Sequence, residues 1–325
     1  MSQTNAGSPR VASSGDAGAG PSEELELRAI PQRHPWRWAA AAVVALFAAM
    51  LVHSMFTNER YEWDVVSSWL FSRSILKGLL LTLGLTAASM ATGIVLGIVL
   101  AVMAGSPNRL LEEAARVYIW FFRGTPLLVQ LIFWFNLSAL YPRIPIGIPF
   151  GGPEATALDA NQLITPTIAA FLGLALNEAA YMAEIVRAGI VSVPAGQVQA
   201  AEAIGMTRLL AMRKIVLPQA MRVIIPPTGN QTISMLKTSS LVSVLAIPEL
   251  LYSAQIIYAR TFETIPLLIV VSVWYLLLTS LLTIAQGWIE RRFSPDRDPV
   301  RRRVRSAHGP SMTLRRAREG GESNA

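Results

Sequence analysis

The sequence predicts an all-α integral membrane protein of about six transmembrane helices, and three observations carry that reading. Of 325 residues, 15% are charged and 52% hydrophobic, whereas soluble domains carry about 25% charged residues. The charges are clumped: Gly78 to Asn108 and Thr264 to Ile289 contain none, and uncharged apolar runs longer than about 18 residues are membrane spans. The net charge of +7 comes from Arg gathered beside those runs, the pattern of cytoplasmic flanks facing anionic lipid. A soluble enzyme is thereby excluded, and the absence of Cys excludes a disulfide scaffold. Membrane lipid is an expected partner. Nucleic acid is not, because no stacking aromatics interleave the basic tail.

Residues 1–37, rich in Ser, Gly, Ala and Pro, read as a disordered cytoplasmic arm. They do not read as a cleavable signal, since the first apolar stretch begins only near Trp38. That stretch, 38–56, is an extra N-terminal span with Trp36 and Trp38 at the interface. Residues 75–292 hold the remaining spans. Span 2 lies within Ile75 to Ala104, where Gly93, Gly97 and Ala101 recur every four residues and allow a neighbouring helix to approach. Span 3 runs from about Val117 to Leu140, with Arg123 near one end and a Gly124-Thr125-Pro126 break after it. Tyr141 to Asn161, dense in Gly and Pro, reads as a loop.

Span 4, about Ile164 to Val186, is interrupted by Asn177, Glu178, Tyr181 and Glu184. Ionisable groups at such depth face other helices or a watered cavity, and Glu184 with Arg187 three residues on reads as an ion pair. Span 5 is discontinuous: Val223 to Leu236, then Lys237-Thr238-Ser239-Ser240, then Leu241 to Tyr258. Span 6 covers about Ile265 to Trp288, and 293–325 is a basic cytoplasmic tail. With the amino terminus inside, inner segments hold 22 of the 28 basic residues and outer segments five. Both termini and the polar segment 189–222 are then cytoplasmic.

No catalytic constellation and no metal site is expected. His34, His53 and His308 are too dispersed to converge with carboxylates, and there is neither a phosphate-binding G-x-x-x-x-G-K-[ST] loop nor a G-x-S-x-G elbow. The informative stretch is Gln199-Ala200-Ala201-Glu202-Ala203-Ile204-Gly205, nine residues, then Ile215-Val216-Leu217-Pro218. Pro194 starts a short helix whose alanines form a face suited to a cleft, and Gly205 ends it. Thr207 caps a second helix reaching about Val216, and Pro218 stops it. The product is a helix-turn-helix knob outside the membrane; the plain alternative is a hairpin that merely joins two spans.

These residues resemble the signature of ABC importer permeases, E-A-A-x-x-x-G followed by nine residues and I-x-L-P. Asn177 to Ile190, Arg123-Gly124-Thr125-Pro126-Leu127 and Leu217-Pro218-Gln219-Ala220-Met221-Arg222 resemble the polar amino acid branch, which includes the histidine, glutamine, glutamate, arginine and opine permeases. The resemblance covers about Gly78 to Arg292. It implies a type I importer permease core, a bacterial inner-membrane location, and an ATPase-coupling segment comprising Gln199, Ala200, Ala201, Glu202, Gly205, Ile215, Leu217 and Pro218. It also implies a cytoplasmic ABC ATPase dimer as partner, holding ATP and Mg that this chain does not bind. A second permease subunit, identical or homologous, and an extracytoplasmic amino acid binding protein complete the implied set. Gln199 departs from the family's leading Glu; an amide keeps a hydrogen bond but loses the charge, which Glu202, one turn later, can carry. Glu178, Asn230 and Lys237 are candidates for the substrate path, Lys237 because it sits where span 5 breaks. An ion-coupled secondary amino acid transporter or channel is the alternative; it would need no knob and would often show paired broken helices.

Overall fold

The computed structural model describes residues 35–147 and 154–293. The disordered arm expected before residue 35 and the basic tail expected after residue 293 lie outside the described residues. The chain divides into two units, 1–59 and 60–325. In the first, helix α1 (Pro35–Thr57) covers the extra span, 23 mostly apolar residues, exposed from Trp36 to Thr57 except for the half-buried Ser54. At 1.5 Å per residue it measures about 34 Å, enough to cross a hydrocarbon core of about 30 Å.

The second unit opens with a short amphipathic helix, α2 (Trp63–Leu70), and then α3 (Arg73–Ala104), whose N-cap Ser72 accepts a hydrogen bond from the Ile75 amide. Span 3 divides into α4 (Arg109–Gly124) and α5 (Leu127–Phe135), which meet at 102°. The physical cause is local. Thr125, preceding a proline, is held extended at φ −108°, ψ 141°, and Pro126 has no amide to continue the ladder. A four-residue helix, α6 (Leu137–Leu140), follows.

The connection expected to be a loop instead contains an antiparallel pair, β1 (Arg143–Gly147) and β2 (Glu154–Asp159), in register from Arg143 opposite Asp159 to a bulge at Ile146/Gly147. The Gly and Pro residues that suggested a loop lie mainly at 148–153, outside the described residues. After α7 (Ala160–Leu163) comes α8 (Pro166–Val191), with Pro166 in its first turn and Thr165 capping it. Then follow α9 (Ala195–Ala203), α10 (Arg208–Ala211), a π-helical turn (Met212–Val216), α11 (Leu217–Thr238), a 3-10 turn (Ser239–Leu245), α12 (Leu250–Thr261) and α13 (Thr264–Phe293). Among the described residues α1, α3, α8 and α13 can each cross a membrane, and two bent pairs bring the number to six.

Two apolar clusters hold the second unit together. One joins α3, α5, α8, α11 and the 3-10 turn through Leu85, Leu131, Leu174, Met235 and Leu245; the other joins α2, α3, α12 and α13 through Val66, Ile75, Leu250 and Leu267. The small-residue stripe on α3 performs the packing its spacing predicts. A Cβ at Gly97 would lie 2.5 Å from the Met182 Cβ, and one at Gly93 would lie 2.7 Å from the Glu178 Cγ. The backbones of α3 and α8 therefore approach more closely than any side chain at those two positions permits.

A protruding knob and a polar helix face

The knob begins at Pro194, which precedes α9. Val198 is half-buried and packs with Val193 and Val216, and Ala201, three residues on, is buried. Gln199, Ala200, Glu202 and Ala203 are thereby left exposed. The helix ends in a Schellman turn: the Met206 amide donates to the Ala201 carbonyl at 3.0 Å and the Gly205 amide to the Glu202 carbonyl at 2.9 Å. Gly205 sits at φ +80°, in the left-handed region where a side chain is strained. Thr207 caps the next helix, its hydroxyl accepting from the Leu210 amide.

Two expectations are corrected here. Ala201 does not face outward: it is 3% exposed, on the same side of α9 as the half-buried Val198. Nor does Pro218 stop the second helix. The π-helical turn at Met212–Val216 opens the ladder just ahead of it, and Pro218 occupies the first turn of α11, where a missing amide is tolerated. The Gln219 side-chain amide donates to the Ile215 carbonyl at 2.9 Å. Residues 208–238 thus form one continuous helical run. Ile215 is half-buried, while Leu217 and Pro218 are exposed. Sequence reasoning did not single out Ile204 and Leu209, which are 79% and 80% exposed on either side of Gly205.

At the α4/α5 bend, Pro126 leaves the Phe122 carbonyl without its helical donor. Gln130 and Asn177 replace it: the Gln130 Nε2 donates to that carbonyl at 3.0 Å and to the Thr125 carbonyl at 3.1 Å, and the Asn177 Nδ2 donates to the Phe122 carbonyl at 2.9 Å. Asn177 also donates to the Gln130 Oε1 at 3.2 Å. Nearby, Glu184 pairs with Arg187 at 2.8 Å, as expected, and with Arg123 at 3.8 Å. The Arg123 guanidinium lies 5.5 Å from the Tyr181 ring centroid.

The candidate path residues part company. Glu178 is 2% exposed, pressed on Gly93 of α3, with its Oε2 accepting from the Gln231 Nε2 at 3.1 Å. It occupies a closed contact among α3, α8 and α11, the helix-facing one of the two alternatives its depth left open. Asn230 and Lys237 are exposed, and with Ser234 they recur at helical spacing along one side of α11. The Asn230 Oδ1 accepts from the Gln286 Nε2 of α13 at 2.9 Å. A second buried carboxylate, Glu249, escaped sequence reading because it falls in an apolar stretch. It caps α12, accepting from the Leu251 and Tyr252 amides at 2.9 and 2.8 Å, and it also accepts from Thr82 at 3.3 Å and Tyr275 at 3.4 Å. The signal available was an acidic residue after Pro248 at the start of a helical run.

A bundle of spans, a broken helix with a polar face and a protruding knob together define a helical membrane transport component. The family described as binding-protein-dependent transport system inner membrane component matches residues 93–295, and the chain belongs to it. The chain is similar to the arginine transport system permease protein ArgU of Corynebacterium glutamicum, 46% identical over 283 residues, covering 85% of this chain and 86% of that one. It is also similar to the octopine transport system permease protein OccM of Rhizobium meliloti, at 35% identity over 74% of this chain and 95% of that one. Among solved structures, an amino acid ABC transporter crystallised with histidines aligns at TM-score 0.60 and 34% identity, covering 70% of this chain and 98% of that one. The MetNI methionine ABC transporter, at 20% identity and TM-score 0.55, shares the fold.

Proposed function

We propose that this chain is the permease subunit of an ATP-driven importer of polar amino acids, lying in the inner membrane with both termini and the knob in the cytoplasm. The observation that carries the reading is the knob: a short helix with an exposed face of Gln199, Ala200, Glu202 and Ala203, joined through one unbroken helical run to the polar face of α11. At 1.5 Å per residue that run is about 46 Å long. A displacement imposed on the knob is therefore passed towards Asn230, Ser234 and Lys237 through helix rather than through a loop, across a π-helical turn at Met212–Val216 and the Pro226-Pro227 pair, where the run can bend.

In this reading two ATPases, holding ATP and Mg, close and draw the knobs of two permease subunits together, while an extracytoplasmic binding protein delivers the amino acid. The Lys237 ammonium attracts the substrate carboxylate. Glu202 supplies the charge that Gln199 lacks. The amino acid assignment is supported by relatives named for arginine, octopine and amino acid transport, and the orientation by the 22 to five division of basic residues.

The test is reconstitution of the permease with its ATPase and binding protein in liposomes, followed by uptake of labelled arginine and of other polar amino acids. ATP-dependent uptake that requires both partners supports the assignment. Uptake driven by an ion gradient without ATPase would sink it. Lys237→Met is expected to lower uptake at least several-fold with ATPase still bound; normal uptake in that variant removes Lys237 from the path.

A further inference from the structure

The side of α11 opposite its polar face opens onto a groove of 680 Å³ formed with α3, α8 and α13. Ile98, Met182, Ile225, Leu282, Ala285 and Ile289 are among the residues that line it. Counted at 3.6 residues per turn, Leu217, Met221, Ile224, Thr228 and Thr232 of its wall lie roughly half a turn from Asn230, Ser234 and Lys237, while Gly229, Ile233 and Gln286 form the rim next to that face. The groove therefore opens mainly away from the path face.

Its few polar side chains are already engaged within the wall. The Thr228 hydroxyl donates to the Ile224 carbonyl at 2.8 Å, the Thr232 hydroxyl to the Thr228 carbonyl at 2.9 Å, and the Gln286 amide to Asn230 and Glu290. A polar solute finds no partner there. A hydrocarbon chain does.

One mouth of the groove is basic. Arg213 precedes the lining residue Leu217 by four positions, Lys214 precedes it by three, and Arg292 follows the lining residue Ile289 by three. All three are exposed, and among the described residues none of them forms an ion pair. Glu290 is the acidic residue at this mouth, its carboxylate accepting from Gln286 at 2.8 Å, and Arg291 stands beside it. The exposed Trp288 ring, one turn before Arg292, places this level at the membrane interface, where indoles concentrate.

From the apolar wall and its cationic mouth we infer that the groove holds one anionic phospholipid, an acyl chain against α11 and α13 and the phosphate at Arg213, Lys214 and Arg292. A lipid seated there braces the lever between knob and path from behind. The same site lies against the run that the proposed coupling would move.

Native mass spectrometry of the purified permease–ATPase complex, equilibrated with equal amounts of phosphatidylglycerol and phosphatidylcholine, tests this. The wild type is expected to retain phosphatidylglycerol roughly tenfold over phosphatidylcholine. The Arg213→Gln, Lys214→Gln, Arg292→Gln variant is expected to lose that preference, and Ala285→Trp, which fills the groove, to retain neither lipid. The charge variant alters only exposed side chains, so it decides the matter even where Ala285→Trp does not assemble. Equal retention of the two lipids by the wild type, or an unchanged preference in the charge variant, overturns the proposal. Because the chain has no Cys, Ala285→Cys supplies a single labelling site; its efficient cross-linking to a second permease copy would show the groove covered by protein and would also overturn it. None of these outcomes depends on which solute is transported.

Discussion

At the scale of single residues, the buried polar side chains repair breaks in the backbone. Gln130 and Asn177 satisfy carbonyls freed by Pro126, and in a bilayer such groups have no water to turn to. Either Gln130→Leu or Asn177→Leu leaves the Phe122 carbonyl with one donor, but Gln130→Leu also takes the donor from the Thr125 carbonyl. The first is therefore expected to lower the melting temperature of the purified complex more than the second, with a cost of about 1–3 kcal/mol. Equal melting of both variants and the wild type would show that the bend needs neither.

Glu249 makes a parallel case. Glu249→Ala strips the cap from α12, costing about 0.5–2 kcal/mol, and takes the carboxylate acceptor from the half-buried Tyr275 hydroxyl and from Thr82, which keeps only the Gly78 carbonyl. Glu249→Gln keeps one acceptor oxygen. Thermal unfolding should rank wild type above Gln and Gln above Ala; an Ala variant as stable as the wild type would remove Glu249 from this role. The exposed Arg123–Glu184–Arg187 group is a weaker contributor, since ion pairs in solvent are worth about 0–1 kcal/mol.

At the scale of elements, the two neighbouring alanines of α9 separate docking from folding. Ala200 is exposed and Ala201 buried, so Ala200→Trp is expected to reduce ATPase co-purification while leaving the melting temperature unchanged. Ala201→Trp overpacks the knob itself, at about 1–3 kcal/mol, and is expected to lower both. Gly205→Val forces a β-branched residue to φ +80°, where even an unbranched residue is strained by about 1–2 kcal/mol. It should weaken ATPase association although no side chain crowds that position. If Ala200→Trp and Gly205→Val both bind ATPase as the wild type does, the knob is a connector and the coupling proposal fails.

At the scale of the whole molecule, orientation rests on the distribution of basic residues. Reporter fusions after Asn58, Asp159 and Phe262 are expected to score as external, and a fusion after Gln199 as cytoplasmic. An external score after Gln199 would invert the topology and detach the knob from any cytoplasmic ATPase.

The sequence by itself determined the apolar spans, a break within span 5 and the knob at Gly205, although the break falls between Leu245 and Leu250 rather than at Lys237, which lies inside α11. Each of these is written in contiguous residues: uncharged runs, a broken run, or a glycine between two capped helices. Only the tertiary structure decided which of two adjacent alanines faces outward, that Pro218 lies within a helix, and that Glu178 is sealed while Asn230 and Lys237 are open. It also decided that Glu249 ties α3, α12 and α13 together. Those outcomes depend on which helices meet. A π-helical turn rotates everything after it, and residues as far apart as Thr82 and Glu249 are brought within 3.3 Å by packing that no local pattern encodes.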